Sequence, residues 1–230
     1  NSDDGQAIGL SYFKERGFDE KITQEFELGF SANHWDGLIK EAVANHYSLD
    51  LLEAAGLIIR KDTKTYDRFR NRVMFPIHNL TGKVIAFGAR ILIADKKQPK
   101  YLNSPETDVY HKSDILFGIY QAKNHLRNED NCYLVEGYTD VISLHQAGIN
   151  NVVASSGTAL TVEQIRLVKR YSKNITVLYD GDKAGIKASV RGIDLILEED
   201  LNVSAINLPE GEDPDTFVRK LGEEGFREYI

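Results

Sequence analysis

Cysteine is nearly missing from this chain: Cys132 stands alone among 230 residues. One thiol excludes an internal disulfide framework and a Cys-rich zinc site. Its place in an apolar run predicts a buried, inert side chain. No apolar stretch approaches the ~20 residues of a transmembrane helix. The amino end lacks the charged and apolar regions of a secretory signal. There is no GxGxxG and no GxxxxGK(S/T), so a dinucleotide-binding turn and a P-loop both lack support. The expectation from these absences is a soluble cytoplasmic protein with no membrane partner. The chain opens without methionine, on a polar stretch of nine residues, and reads as a piece of something longer.

What is present is a 42% hydrophobic share, enough for a real core and two subdomains. The net charge of −7 argues at first against a nucleic-acid partner. Its distribution argues the other way. From Asn1 to Ile59 the balance is −7, from Arg60 to Lys112 it is +7, and from Ser113 onward it is −7 again. An acidic body with one basic middle segment suits a metal site and a surface for a polyanion. Each single Lys or Arg can equally be a solvated surface residue.

Short helices are expected over Leu10–Gly17 and Asp19–Glu25, with a break at Gly29 and Ser31-Ala32-Asn33. Helices follow at Trp35–Ala44 and Leu49–Ala55, and a strand at Leu57-Ile58-Ile59. Asp62 to Tyr66 reads as a polar turn. In Asp67-Arg68-Phe69-Arg70-Asn71-Arg72 the basic residues recur at period two, which on an extended chain puts three arginines on one face. Val73–Ile77 and Lys83–Phe87 flank Asn79-Leu80-Thr81-Gly82 as a hairpin. Asp95–Lys100 reads as a polar loop, Tyr101 to Thr107 as irregular, and Ser113–Asn124 as helical. From Asn131 the pattern alternates: strands at 132–135, 151–155, 174–179 and 202–208, helices near 138–147, 161–172, 184–197 and 215–221. Such alternation predicts a mainly parallel sheet with helices on its faces.

The acids fall at the ends of those strands, where ligands bind in open α/β sheets. Val177-Leu178-Tyr179 runs into Asp180-Gly181-Asp182. Cys132-Tyr133-Leu134-Val135 runs into Glu136-Gly137, with Asp140 one helical turn on. Val203 to Leu208 precedes Gly211-Glu212-Asp213-Pro214-Asp215. Asp-Gly turns and Asp caps are common. Three acidic strand ends in one unit exceed what turn chemistry alone explains. Close carboxylates repel, and a hard cation removes that cost. For Asp140 the rival role is a charge at a helix start, and for Asp215 it is capping. Ser156-Gly157-Thr158, at another strand end, can offer N–H groups to phosphate or be a plain turn.

Glu136-Gly137-Tyr138-Thr139-Asp140 together with Asp180-Gly181-Asp182 resembles the Toprim signature shared by primases, topoisomerases and some nucleases. Three upstream stretches are more specific: Arg68-Phe69-Arg70-Asn71-Arg72-Val73-Met74-Phe75-Pro76-Ile77, Phe87-Gly88-Ala89-Arg90, and Pro99-Lys100-Tyr101-Leu102-Asn103-Ser104-Pro105-Glu106-Thr107. With Asp180 to Gly185 and Gly211 to Asp215, they resemble the RNA-polymerase core of the bacterial replicative primase, DnaG type. The resemblance covers nearly the whole chain.

It implies an α/β fold class: an α+β amino-terminal subdomain, then a Toprim-type, mainly parallel sheet with helices on both faces. The implied divisions are 1–125 with the basic segment, 126–215 with the metal site, and 216–230 as the start of a helical region. The implied activity is a DNA-dependent RNA polymerase, a nucleotidyltransferase of the primosome that makes short RNA primers at the replication fork. Its implied partners are single-stranded DNA and ribonucleoside triphosphates, with the replicative helicase engaged only through a domain absent here. Two or more Mg²⁺ or Mn²⁺ ions are implied, and no zinc in this part. Glu136, Asp180 and Asp182 become the candidate catalytic residues and direct ligands, with Glu136 alternatively a general base. Asp140, Asp213 and Asp215 rank second as metal residues. Arg68, Arg70, Arg90, Lys100, Asn103 and Lys112 are the candidate nucleic-acid or nucleotide contacts, and Arg72 has a weaker claim. The rivals are another Toprim enzyme, a topoisomerase or nuclease, and a non-catalytic nucleic-acid-binding module. None of the eleven tyrosines stands out as the nucleophile a topoisomerase needs.

Overall fold

The structure is a computed structural model. It describes residues 5–92, 98–157, 159–179 and 183–230, with the backbone alone at 179 and 183–190. By internal contacts the chain divides into two units: Asn1–Ile77 with Val84–His111, and His78–Lys83 with Lys112–Ile230.

The first unit opens with a π-helical turn, Gly5–Leu10, then α1 (Ser11–Glu15) and α2 (Glu20–Glu25). Asp19 caps α2, its carboxylate accepting from Ile22 N–H at 2.7 Å. The strand β1 (Gly29–Ser31) follows, then α3 (Gly37–Ala44), α4 (Leu49–Ala54), β2 (Ile58–Lys61), β3 (Lys64–Asp67), β4 (Arg72–His78), β5 (Val84–Ile91) and β6 (Tyr101–Asn103). One sheet has the order β1-β4-β5-β6, and β2-β3 form a separate antiparallel ribbon. Its core is aromatic: Phe13, Phe18, Phe26 and Phe75 are buried, with Phe13 edge-on to Phe75 at 6.4 Å.

Three of these strands depart from expectation. Gly29–Ser31 pairs with β4 instead of breaking the chain, Asp62–Tyr66 contains most of β3, and Tyr101–Asn103 pairs with β5. Short strands of this kind gain their order from a partner's hydrogen bonds, which local propensity does not record. The three-arginine face is also overturned. Asn71 has φ 53, a left-handed conformation that turns the chain. Arg72 therefore starts a new strand with its side chain buried, while Arg68 and Arg70 precede the turn.

The second unit begins with a 3₁₀ turn at Lys112–Asp114 and α5 (Ile119–Glu129). Then strand and helix alternate: β7 (Cys132–Val135), α6 (Tyr138–Gln146), β8 (Val152–Ala154), α7 (Val162–Lys169), β9 (Asn174–Tyr179), α8 (Lys183–Glu198), β10 (Asn202–Asn207) and α9 (Pro214–Tyr229). Gly222, with φ 70, kinks α9. The tip of the β4–β5 hairpin counts with this unit, where Lys123 donates to the Leu80 carbonyl at 2.6 Å.

The sheet order is β10-β9-β7-β8, and its three strand pairings are parallel. Chain connectivity runs from β7 to its neighbour β8, then back across β7 to β9, then outward to β10. Right-handed crossovers place α6 on one face and α7 and α8 on the other. The direction of winding therefore reverses between β7 and β9. That is a topological switch point, where loops from adjacent strands part and leave a crevice. Parallel strands covered on both faces need apolar side chains on both sides, and Cys132, Leu134, Val135, Val153, Ile175 and Val177 supply them. Burial pushes the Cys132 thiol up, so it stays protonated in the core.

Candidate metal and nucleic-acid site

The two strands that flank the switch point end on the two acidic motifs. The register pairs Leu134 with Val177. Glu136 follows β7 directly, and Asp180 follows β9 directly in sequence. Asp180 and Asp182 lie outside the described residues, as does Thr158. Glu136 is exposed at the mouth of the crevice. Its backbone is anchored: the Glu136 carbonyl accepts from Ser156 N–H at 3.1 Å, across from the end of β8. Ser156 and Gly157 both adopt positive φ there, 58 and 82. The Ser156 N–H, a candidate phosphate donor in the sequence, is thus committed to holding Glu136.

Gly137 is the N-cap of α6 and donates its N–H to Asp140 Oδ2 at 2.9 Å. A Cβ at residue 137 would meet that same oxygen at 2.9 Å. Glycine is what permits the carboxylate to close over the helix start. Asp140 is 7% exposed and serves this first turn. Asp213 is the N-cap of α9, accepting from Thr216 N–H at 2.7 Å while Thr216 Oγ1 accepts from the Asp213 N–H. Capping thus falls to Asp213, not to Asp215.

Asp215 is 2% exposed. Ser143 of α6 donates to its Oδ1 at 2.5 Å, and Arg219 one turn on lies at 3.0 Å from the same oxygen. Asp215 thereby fastens α9 to α6. Sequence reading did not single out Ser143 or Arg219, although the i, i+4 spacing of Asp215 and Arg219 is an audible signal. Among the described residues no group of three or more His, Cys, Asp or Glu is arranged to hold a metal.

The basic candidates of the first unit are held by aromatic faces and carbonyl oxygens. Arg70 lies over the Trp35 ring at 4.6 Å and the Tyr66 ring at 5.1 Å, and donates to the Asp67 carbonyl. Trp35 and Tyr66 are 4.7 Å apart, and Trp35 is 55% exposed. Asp67, itself buried, receives Leu38 N–H at 2.7 Å and Ile39 N–H at 3.2 Å and so fixes the start of α3 beside this cluster. Trp35 escaped notice in the sequence, where it reads only as a helix start. Arg90 donates to Tyr12 Oη at 2.8 Å with its guanidinium 5.2 Å from that ring. Lys100 lies 5.9 Å from the Tyr101 ring.

Arg68 is half-buried, and desolvation lowers its pKa, with Tyr66 acting in the opposite direction. Asn103 pairs with Gly88 across β5 and β6. Lys112 sits in the second unit, where its carbonyl accepts from Gln164 at 3.1 Å. Among the described residues no carboxylate forms an ion pair with Arg68, Arg70, Arg72, Arg90 or Lys100. Arg60, by contrast, reaches Asp50 at 2.7 Å and Glu53 at 3.4 Å.

Residues 1–123 match the family model described as DNA primase catalytic core, N-terminal domain, and residues 133–218 match a Toprim-like model. A DNA primase of Clostridium acetobutylicum is 46% identical over 229 residues, which cover 99% of this chain and 38% of that protein. The chain therefore spans less than two fifths of that relative's length. A crystal structure of a DNA primase domain from Pseudomonas aeruginosa superposes with a TM-score of 0.87 at 44% identity, covering 96% of this chain and 70% of that one. A DnaG primase catalytic domain bound to single-stranded DNA superposes with a TM-score of 0.87 at 41% identity, covering 96% and 72%. The exposed Glu136 at the switch point, the basic residues upstream and these matches lead to one conclusion: the chain belongs to the DNA primase catalytic core family.

Proposed function

We propose that this chain is the polymerising core of a primase, joining ribonucleotides on a single-stranded DNA template. The observation that carries the reading is the set of cations in the first unit. Four side chains without carboxylate partners among the described residues, Arg68, Arg70, Arg90 and Lys100, keep their charge for an outside anion. Phosphate contacts of this kind are independent of sequence and weakened by salt. Arg68, Arg70, Arg90 and Lys100 are assigned to strand or nucleotide phosphates, with Asn103 and Lys112 as polar contacts. The exposed Trp35 beside Arg70 adds a flat face suited to an unstacked base.

Chemistry is assigned to the switch point of the second unit. A 3′-hydroxyl attacks an α-phosphorus, a new P–O bond forms, and the bond to pyrophosphate breaks. Glu136, Asp180 and Asp182 are hard oxygen donors and fit a divalent cation such as Mg²⁺ or Mn²⁺. A bound cation would neutralise charge on the leaving group. The backbone of the exposed Glu136 is held in place by the Ser156 N–H, and Asp140 keeps the adjoining helix start closed. Asp215, committed to Ser143 and Arg219, is assigned to structure instead of metal. In this division the first 125 residues bind the template and residues 126–215 carry the reaction. The helix that follows packs its Phe217, Val218 and Phe226 into the second unit.

The test is incorporation of labelled ribonucleotides on single-stranded DNA, with and without divalent cation. Template-dependent, cation-dependent product supports the reading. Strand cleavage without synthesis would favour a Toprim nuclease, and binding with no reaction under any cation would favour a non-catalytic module.

A further inference from the structure

Arg72 was expected beside Arg68 and Arg70 on a basic face. It is 3% exposed instead. Its Nη1 donates to the Pro99 carbonyl at 3.1 Å and the Lys100 carbonyl at 3.4 Å, and its Nη2 to Gln98 Oε1 at 3.3 Å. Burying a guanidinium costs free energy unless its donors are satisfied. Here no carboxylate offsets that cost among the described residues, and desolvation, reinforced by the like charge of Arg70, lowers the Arg72 pKa. The charge is spent on one short segment, 98–100.

That segment leads into β6, whose pairing with β5 begins at Tyr101 opposite Arg90. Just before Tyr101, Ile91 N–H extends the ladder by donating to the Lys100 carbonyl at 3.0 Å. Arg72 adds three further ties. A planar fork can reach three acceptors at once, and an ammonium cannot reproduce that geometry.

We propose that Arg72 is a positioning residue: it holds Gln98-Pro99-Lys100 in place and affects anion binding through Lys100. This rests on the reading of Lys100 as a phosphate contact.

The experiment is a double-mutant cycle on the chain as it stands, with R72Q, K100A, the R72Q/K100A pair, and R72Q/R90A as the comparison. Binding of an oligo(dT) strand is followed by fluorescence anisotropy across a salt series. Amide exchange over residues 98–103 is measured in parallel by mass spectrometry, and melting checks that each variant is folded. R72Q is expected to weaken binding by about the same factor as K100A. It should also flatten the slope of log K against log salt by up to about 0.7, one single-strand phosphate contact. In the K100A background R72Q should add no further loss, whereas with R90A the losses should multiply. Exchange at 98–101 should quicken in R72Q.

A full additional loss on top of K100A overturns the proposal, because Arg72 would then act by another route. Unchanged exchange in R72Q overturns it as well. If K100A binds as tightly as the parent, the phosphate reading of Lys100 fails, and with it the claim that Arg72 acts through that residue. Exchange then still decides whether Arg72 holds the segment.

Discussion

The two units treat charge in opposite ways. In the first, Arg70 and Arg90 rest on aromatic rings and Arg72 on backbone carbonyls, so the charge of these three is placed without a carboxylate among the described residues to cancel it. In the second, three of the candidate acids are engaged by the protein itself: Asp140 with the Gly137 N–H, Asp213 with the Thr216 N–H, Asp215 with Ser143 and Arg219. Glu136 differs from these in being exposed at the switch point, with its backbone tied down. A shared motif can therefore contain acids with different jobs. Those that close helix starts and tie helices shape the crevice. The exposed one faces whatever enters it.

Replacing the acids one by one sharpens that distinction. The largest effect is expected at Glu136. E136Q should lower ribonucleotide incorporation by at least about 100-fold, the usual scale for a lost acid–base or charge-stabilising group. Its melting temperature should stay close to the parent's, since exposed substitutions shift stability by about 0.5 kcal/mol or less. A large drop in melting temperature would make Glu136 a structural acid.

Asp215 should behave in the reverse sense. D215A removes an acceptor for Ser143 and Arg219 in a buried site and should cost about 2–3 kcal/mol of stability. Denaturant unfolding measures this. A loss under about 0.5 kcal/mol would mean the α6–α9 link is not maintained in solution.

His145 tests the same unit by pH. It lies in α6, and burial depresses its pKa from 6.5 to about 3. The unfolded chain then binds a proton below pH 6.5 that the folded chain refuses. Stability should therefore fall as pH drops from 6.5 toward 3, by about 1.4 kcal/mol per pH unit for this one group. The variant H145Q should flatten that dependence in urea unfolding between pH 6.5 and 5. An unchanged slope would show that other groups carry it.

The smallest effect is expected at Asp213. D213A deletes an N-cap and should cost about 1 kcal/mol, with incorporation lowered only in proportion to the folded fraction. A much larger loss of activity than of stability would move Asp213 into the reacting site.

Much of the second unit was legible in advance because its signals are local and redundant. Apolar runs of four to six residues alternate with helical periods, as at Cys132–Val135 and Tyr138–Gln146, and acids mark the strand ends. The first unit is less legible. β1 and β6 have three residues each, and their order depends on partners far along the chain, Gly29 with Met74 and Arg90 with Tyr101. Period two misled at Arg68 to Arg72, because one left-handed residue, Asn71, cancels the alternation on which the face depends.

By itself the sequence determined the alternating strands and helices, the acids at their ends and the basic middle segment. These follow from side-chain polarity and period, which each residue carries with it. Only the tertiary structure decided which acid caps, which bridges and which stays exposed, and that Arg72 turns inward while Arg70 lies on Trp35. Those outcomes depend on which donors a fold brings within hydrogen-bond reach, and such distances are set by packing between elements far apart in the chain.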